Sequence, residues 1–521
     1  MDGKPVGLMD TNERLALMRD ILYQEPSMGR WKALCALLDG WSQGPGLDAA
    51  VEYAGEHLER WPDGLRAVPD TWMPEVWGQR PPVRLKLARC LNLSGRRISP
   101  SQAASLGSSA SIDDNISVMI LQENALGDEG AAALARGNAL GKLTRLVVAS
   151  NQLRGKGAGQ LALAANMPSL EVLDLGWNFL RQEFWDVLAQ ARGPVSWRRL
   201  AVPACGLGAA LLGVLVKVPA LRALRALDLS SNYFKDEGLE CLLGTKGFAR
   251  LARLDIANNR FGPDHLGALG GSKLIEQLKW LDLSNNALGA SGLGALVKGE
   301  PTGLQGLLLA ETQTEDAGVA ALATSNTMAS LRRLDLGHNQ LGASAMLALA
   351  NSPRAGNLRH LMLDHNALGN AGVKALTAGR GVQRLETLSL ASNGLTGGAM
   401  DALGRWSGLG NVRRLSLWSN KLDDDALERL LRSDHLAGLH ALDLAHNQIG
   451  PKGAGRLASD PAMASLQSLV LTNNPIEEAG LEALLRSPYL ATKIKADLRR
   501  HAPGILGRPS DDEPHHKTLG E

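Results

Sequence analysis

The chain has 521 residues, 58 of them glycine (58/521, about 11 per cent), and its Lys+Arg and Asp+Glu counts leave a net charge of +2 (55 − 53). Ordinary hydrophobic content with so little net charge excludes a disordered polyelectrolyte and a strongly basic nucleic-acid binder, and glycine without a three-residue period excludes collagen. Only 20 residues are aromatic (Trp 11, Tyr 4, Phe 5), so the composition suits many thin Leu/Ala/Gly layers better than a few globular cores.

Residues 1–84 carry two stretches with apolar residues three and four apart, Glu13–Leu22 and Trp31–Leu38, and this spacing predicts helices. Trp31, Trp41, Trp61, Trp72 and Trp77 all lie here. The region reads as a cap over the open end of a repeat array, with a separate docking module as the alternative. The start, MDGKPVGLMDTNERL, has no apolar run that could form a signal-peptide core, and no window holds ~18 consecutive apolar residues. Neither secretion by that route nor membrane insertion is therefore expected. Cys35, Cys90, Cys205 and Cys241 form no C-x-x-C pair, which argues against a zinc site and for reduced thiols in a cytoplasmic setting. Non-classical export or injection into a host stays open.

Residues 85–490 are a repeat. Leu170-Glu-Val-Leu173-Asp-Leu175-Gly-Trp-Asn178-Phe-Leu180 reads L-x-x-L-x-L-x-x-N-x-L. The pattern recurs at Asn124, Asn151, Asn178, Asn232, Asn259, Asn286, Asn339, Asn366, Asn393, Asn420, Asn447 and Asn474, with Cys205 and Thr312 in place of Asn in two units. From 124 to 474 there are twelve steps of 27 residues and one of 26 (12 × 27 + 26 = 350), and a degenerate copy around Leu91–Ile98 brings the array to 14–15 units. In each unit L-x-L predicts a short strand with its leucines inward. The Asn can donate to and accept from turn backbone groups that would otherwise be buried unpaired, so these twelve form a structural ladder; Cys205 and Thr312 keep a weaker donor. The second half, as in Gly127-Asp-Glu-Gly130-Ala-Ala-Ala-Leu134, predicts a helix.

These residues are the leucine-rich-repeat signature, and the unit length with its helical second half resembles the ribonuclease-inhibitor-like subclass. The N-terminal region, with its stretch Trp61–Trp72, also resembles the short helical regions that precede the repeats in some large bacterial leucine-rich-repeat proteins. The resemblance covers roughly residues 85–490. It implies an α/β solenoid, a horseshoe with a parallel β-sheet on the concave face and helices on the convex face, preceded by the small helical region. Residues 491–503 depart from the repeat and read as a C-terminal cap. Residues 504–521, with Asp511-Asp512-Glu513 and His515-His516, read as a disordered solvated tail.

Strand positions beside the leucines form columns on the exposed side. The position between the last two leucines gives Asp174, Asp228, Asp255, Asp282, Asp335 and Asp443. Two residues earlier stand Arg145, Arg199, Arg253, Arg333 and Arg414, with Trp280 and His360. Just before the Asn stand Trp177, Asn258, Asn285, His338, His365 and His446, with Trp418 one residue further back. One reading is a ladder of Arg–Asp pairs, each contributing ~0–1 kcal/mol. The other is a recognition surface, because Trp and Arg are enriched at binding hot spots. On that reading the partner-binding residues are Trp177, Asp228, Asp255, Trp280, Asp282, Arg333, Asp335, His360, His365 and Trp418. His338 and His365 stand in adjacent units, but two histidines without a third ligand make a weak metal site.

No phosphate-binding loop, H-E-x-x-H, G-x-S-x-G or kinase motif occurs, so no catalytic residue, cofactor or metal is expected. The chain reads as a non-enzymatic, monomeric scaffold that binds another protein on its concave face, with no nucleic acid involved. The alternatives are a regulator that assists a small GTPase by supplying a positioning residue or an Arg, which the resemblance to ribonuclease-inhibitor-like repeats implies for some members, and an injected effector or ubiquitin-pathway adaptor.

Overall fold

The computed structural model describes residues 9–78, 83–109, 112, 115–190, 195–244 and 248–505. The chain divides into two compact units between Leu251 and Ala252. The acidic run Asp511–Glu513, the pair His515-His516 and the rest of the expected tail from residue 506 on lie outside the described residues.

The first unit opens with helices α1 (Thr11–Leu22), α2 (Met28–Asp39) and α3 (Pro45–Leu58). Asp10 starts α1 by a reciprocal cap: its carboxylate accepts from Glu13 N at 2.9 Å, and the Glu13 carboxylate accepts from Asp10 N at 2.8 Å. Met18, Ile21, Leu34, Leu38, Val51 and Leu58 are buried between the three helices, and Trp31 and Trp72 meet edge to face at 6.2 Å. The chain then runs alongside the first strand. Arg66 O accepts from Arg89 N and Cys90 N, and Val68 N donates to Cys90 O at 2.8 Å. The buried Arg66 guanidinium donates to Leu87 O and Leu58 O, tying the helical region to the array. An open strand edge is thus covered by backbone from the same chain.

Six three-residue strands follow: β1 (Cys90–Asn92), β2 (Val118–Ile120), β3 (Arg145–Val147), β4 (Val172–Asp174), β5 (Arg199–Ala201) and β6 (Ala226–Asp228). The second unit carries nine: β7 (Arg253–Asp255), β8 (Trp280–Asp282), β9 (Gly306–Leu308), β10 (Arg333–Asp335), β11 (His360–Met362), β12 (Thr387–Ser389), β13 (Arg414–Ser416), β14 (Ala441–Asp443) and β15 (Ser468–Val470). Within each unit neighbouring strands are parallel and in strict register, as in Arg333↔His360, Leu334↔Leu361 and Asp335↔Met362. Helices alternate with the strands, Gly127–Arg136 and Gly369–Ala378 among them. This is an α/β leucine-rich-repeat solenoid with a parallel sheet.

The middle strand leucine and its neighbours, such as Leu331, Leu334 and Leu336, are fully buried. Truncating one such leucine to Ala costs ~2–5 kcal/mol. The Asn that follows each strand knits one repeat to the one before. Asn178 Nδ2 donates to Val148 O (2.9 Å) and Leu175 O (2.8 Å), while its Oδ1 accepts from Asn151 N (2.9 Å) and Leu153 N (3.0 Å). Cys205 and Thr312 do less in its place. Cys205 Sγ reaches Leu175 O at 3.3 Å, and Thr312 Oγ1 donates to Leu309 O at 2.7 Å.

Candidate interaction surface

The residue before the repeat Asn sits differently from its place in the strand columns. From Glu123 to Asn473 it has a left-handed backbone in every unit, with φ between 50° and 59°, through Trp177, His338, His365, Ser392, Ser419 and His446. The chain turns there, and the side chain stands on the rim beyond the strand end. Asn and His tolerate this conformation better than bulkier residues do.

In the second unit this rim carries a continuous row. His338 stacks on His365 with ring centroids 4.1 Å apart and planes 13° from parallel. His365 meets Trp418 at 5.8 Å, and Trp418 meets His446 edge-on at 5.1 Å. The small Ser392 occupies the intervening rim position, which leaves room for Trp418 to lean across. Glu311 flanks His338 at 4.0 Å and Asn473 bonds His446 Nε2 at 2.8 Å, closing the row at both ends. His338, His365 and His446 are exposed and Trp418 is half-buried.

The first strand column runs Arg253, Trp280, Gly306, Arg333, His360, Thr387, Arg414 in direct register. Trp280 does not project into solvent. Its ring lies flat over Gly306, where an added Cβ would meet ring carbons at 2.3 Å. The Arg253 guanidinium lies over the indole at 4.7 Å and that of Arg333 at 5.6 Å. Trp280 Nε1 and Arg333 Nε are buried without a hydrogen-bond partner among the described residues. His360 Nδ1 pairs with Thr387 Oγ1 at 3.0 Å. Burial lowers the His360 pKa, and the guanidinium groups of Arg333, Arg414 and Arg359 add to this against Glu386, so its ring stays neutral near neutral pH.

The aspartates of the next column bond the backbone two residues ahead rather than the arginines. Asp335 Oδ1 accepts from Gly337 N (3.0 Å), Asp282 from Ser284 N (3.0 Å), Asp255 from Ala257 N (3.1 Å) and Asp443 from Ala445 N (3.0 Å). Burial raises the Asp335 pKa, and the carboxylates of Asp364 and Asp282 raise it further against the Gly337 amide and the Arg333 guanidinium, which lower it. Arg145, Arg199, Arg253, Arg333 and Arg414 make no side-chain hydrogen bond or ion pair with any described residue. A ladder of Arg–Asp pairs is therefore not formed at Asp174, Asp228 or Asp335. Each closes a short turn onto the amide two residues ahead, a partner fixed by the backbone itself.

In the first unit Trp177 is 66% exposed, and Asp228 Oδ1 accepts from Ser230 N and Oγ. The strand-column reading omits Phe179 (65% exposed) and Tyr233 (50% exposed), which follow Asn178 and Asn232. The Phe179 ring reaches across toward Gly206, which holds the equivalent position in the unit between. Their signal is in the sequence: an aromatic at the x of N-x-L where neighbouring units carry Gln152, Gly206 or Arg260. Gly306 was legible in the same way, as a strand glycine one unit after a tryptophan in its own column.

No group of three or more His, Cys, Asp or Glu side chains that could hold a metal ion occurs among the described residues. No helix of the described residues is long and apolar enough to cross a membrane.

A family model described as Leucine Rich repeat matches residues 119–135, 221–243, 278–297, 327–350, 357–376, 438–458 and 462–485. No curated protein matches the chain. Similar solved structures include an internalin from Listeria monocytogenes (18% identity, 78% of this chain and 87% of that one, TM-score 0.34). Another is the leucine-rich-repeat ectodomain of the Arabidopsis receptor kinase HAESA in complex with an N-terminally extended IDA peptide hormone (17% identity, 77% and 73%, TM-score 0.35). A third is a TDR receptor (18% identity, 77% and 58%, TM-score 0.33).

Proposed function

For a chain that folds as a leucine-rich-repeat solenoid, we propose the role of a non-enzymatic scaffold that binds another protein on the exposed side of its sheet. The observation that carries this is the row His338–His365–Trp418–His446, an aromatic strip of four side chains that spans five repeats at the rim of the second unit. Exposed aromatic surface ordered by stacking offers contact area at small entropic cost, which is what a binding anchor needs. Arg253, Trp280, Asp255, Asp282, Arg333, Asp335 and His360 extend that surface across the strands. Trp177, Phe179 and Tyr233 supply a second exposed aromatic set in the first unit.

On this reading the chain works as a cytoplasmic monomer of the ribonuclease-inhibitor-like, bacterial type. Residues 1–84 cap its first strand, and 491–503 cap its last. The 27-residue step and a ten-residue helix such as Gly369–Ala378 support the subclass. The test is capture of partners from the native source by the full chain and by a His365→Ala/Trp418→Ala variant. Loss of a partner only in the variant supports the sheet side, and an unchanged set of partners refutes it.

A further inference from the structure

The unpaired arginines of the second unit are evenly placed. Arg253 and Arg333 are separated by three strand pairings (β7–β8, β8–β9, β9–β10), and Arg333 and Arg414 by three more. At ~4.8 Å per pairing each interval is ~14 Å. An extended chain rises ~3.4 Å per residue and repeats its faces every two residues, so four residues span ~14 Å and return to the same face. Three guanidinium groups with no acceptor of their own thus match an extended segment bearing an acceptor at every fourth residue.

We infer that this column takes an extended acidic segment of a partner protein, with carboxylates four residues apart seated on Arg253, Arg333 and Arg414. The inference rests on the sheet-side reading above and names the partner's chemistry. Trp280, flat on Gly306 and stacked against Arg253 and Arg333, holds both guanidinium groups above the sheet, and Arg333 Nε lacks an acceptor. Among the described residues no carboxylate bonds these guanidinium groups, and Asp255, Asp282 and Asp335 each give an oxygen to a turn amide instead. Those same aspartates argue against nucleic acid. Closely and evenly spaced phosphates would lie against them, whereas sparse carboxylates pass between.

The experiment is fluorescence anisotropy of the full chain with four labelled probes. Three are twelve-residue Thr/Ala peptides carrying Glu at every fourth position, Glu at every third, or Lys at every fourth; the last is an oligo-dT. The first probe is expected to bind, more weakly as salt rises. Arg333→Gln and Arg414→Gln should each weaken it about tenfold, the loss of one hydrogen bond to a charged group. Arg359→Gln should not, because Arg359 stands outside the column and pairs with Glu386 at 3.5 Å. Equal binding of the Lys peptide or of the third-position peptide overturns the inference. So does preference for oligo-dT, or full affinity in Arg253→Gln/Arg333→Gln/Arg414→Gln. If partner capture depends on His365 and Trp418 while the acidic peptide shows no preference, the acidic inference fails and the scaffold reading stands. If neither dependence is found, both fail.

Discussion

Replacing Asn339 with Ala removes five hydrogen bonds from a place that water does not reach. Its Oδ1 accepts from Thr312 N and Thr314 N at 3.1 Å each and from Thr312 Oγ1 at 3.0 Å, and its Nδ2 donates to Leu309 O (2.6 Å) and Gly337 O (2.8 Å). Asn339, Thr312 and Thr314 all have 0% exposure. Two orphaned amides at ~1–3 kcal/mol each dominate the loss; Leu309 O keeps the Thr312 hydroxyl and Gly337 O keeps Glu311 N, so they add less, and the expected cost is about 3–5 kcal/mol. Asn366 makes equivalent bonds, accepting from Asn339 N and Leu341 N at 2.9 Å, but is only half-buried. Water can replace part of what Asn366→Ala removes, and about 1–2 kcal/mol is expected. Urea unfolding of both variants gives the difference. Because a repeat array responds locally, amide exchange at Thr312 and Thr314 should accelerate in Asn339→Ala before exchange elsewhere. Equal losses in the two variants, or a loss below about 1 kcal/mol at Asn339, would refute the argument that the ladder is held by buried, mutually exclusive partners.

Three further outcomes are expected. Cys205→Asn should raise stability by about 1 kcal/mol in urea titration, because a weak thiol contact becomes an amide donor and Asn178 N gains an Oδ1 acceptor like the one Asn178 gives Asn151; no gain would contradict it. In thiol labelling of the native chain only the half-buried Cys241 should react promptly, since Cys35, Cys90 and Cys205 are buried and burial pushes Cys90 up to about 11 and Cys205 up to about 12; rapid modification of any of those three counts against this. Asp335→Asn should stabilise the fold near pH 7. The folded Asp335 carboxyl titrates above its ordinary ~3.9, so its contribution is fully present below that pH and is lost as pH rises through the raised value. The midpoint gap between variant and wild type should therefore open with rising pH, and a gap that closes instead would reverse the sign of the argument.

The strand–Asn–helix order was legible because it repeats: a leucine triad and an Asn at 27-residue steps leave one periodic solution. The surface was legible only in part. His338, His365 and His446 share a column in the sequence, yet their joining into one strip depends on Trp418 leaning over Ser392, a contact between non-adjacent units that no column alignment encodes. Trp280 reads as a projecting anchor until the bare Gly306 beside it is considered, and the space left by the absent Cβ lets the ring lie down. The Asp and Arg columns suggest pairing, but the amide two residues ahead is tethered to each aspartate and costs no extra side-chain ordering. The left-handed turn before each Asn is a backbone property shared by residues as unlike as Glu311, Ser392 and Trp177, so residue identity does not announce it.

The most direct test of the central claim is hydrogen exchange of the full chain, free and bound to whichever captured partner is lost with His365→Ala/Trp418→Ala. The scaffold account predicts protection at the rim and strand residues from Arg253 to His446, with helices such as Gly369–Ala378 unchanged. Protection confined to those helices, or to residues 1–84, would contradict it.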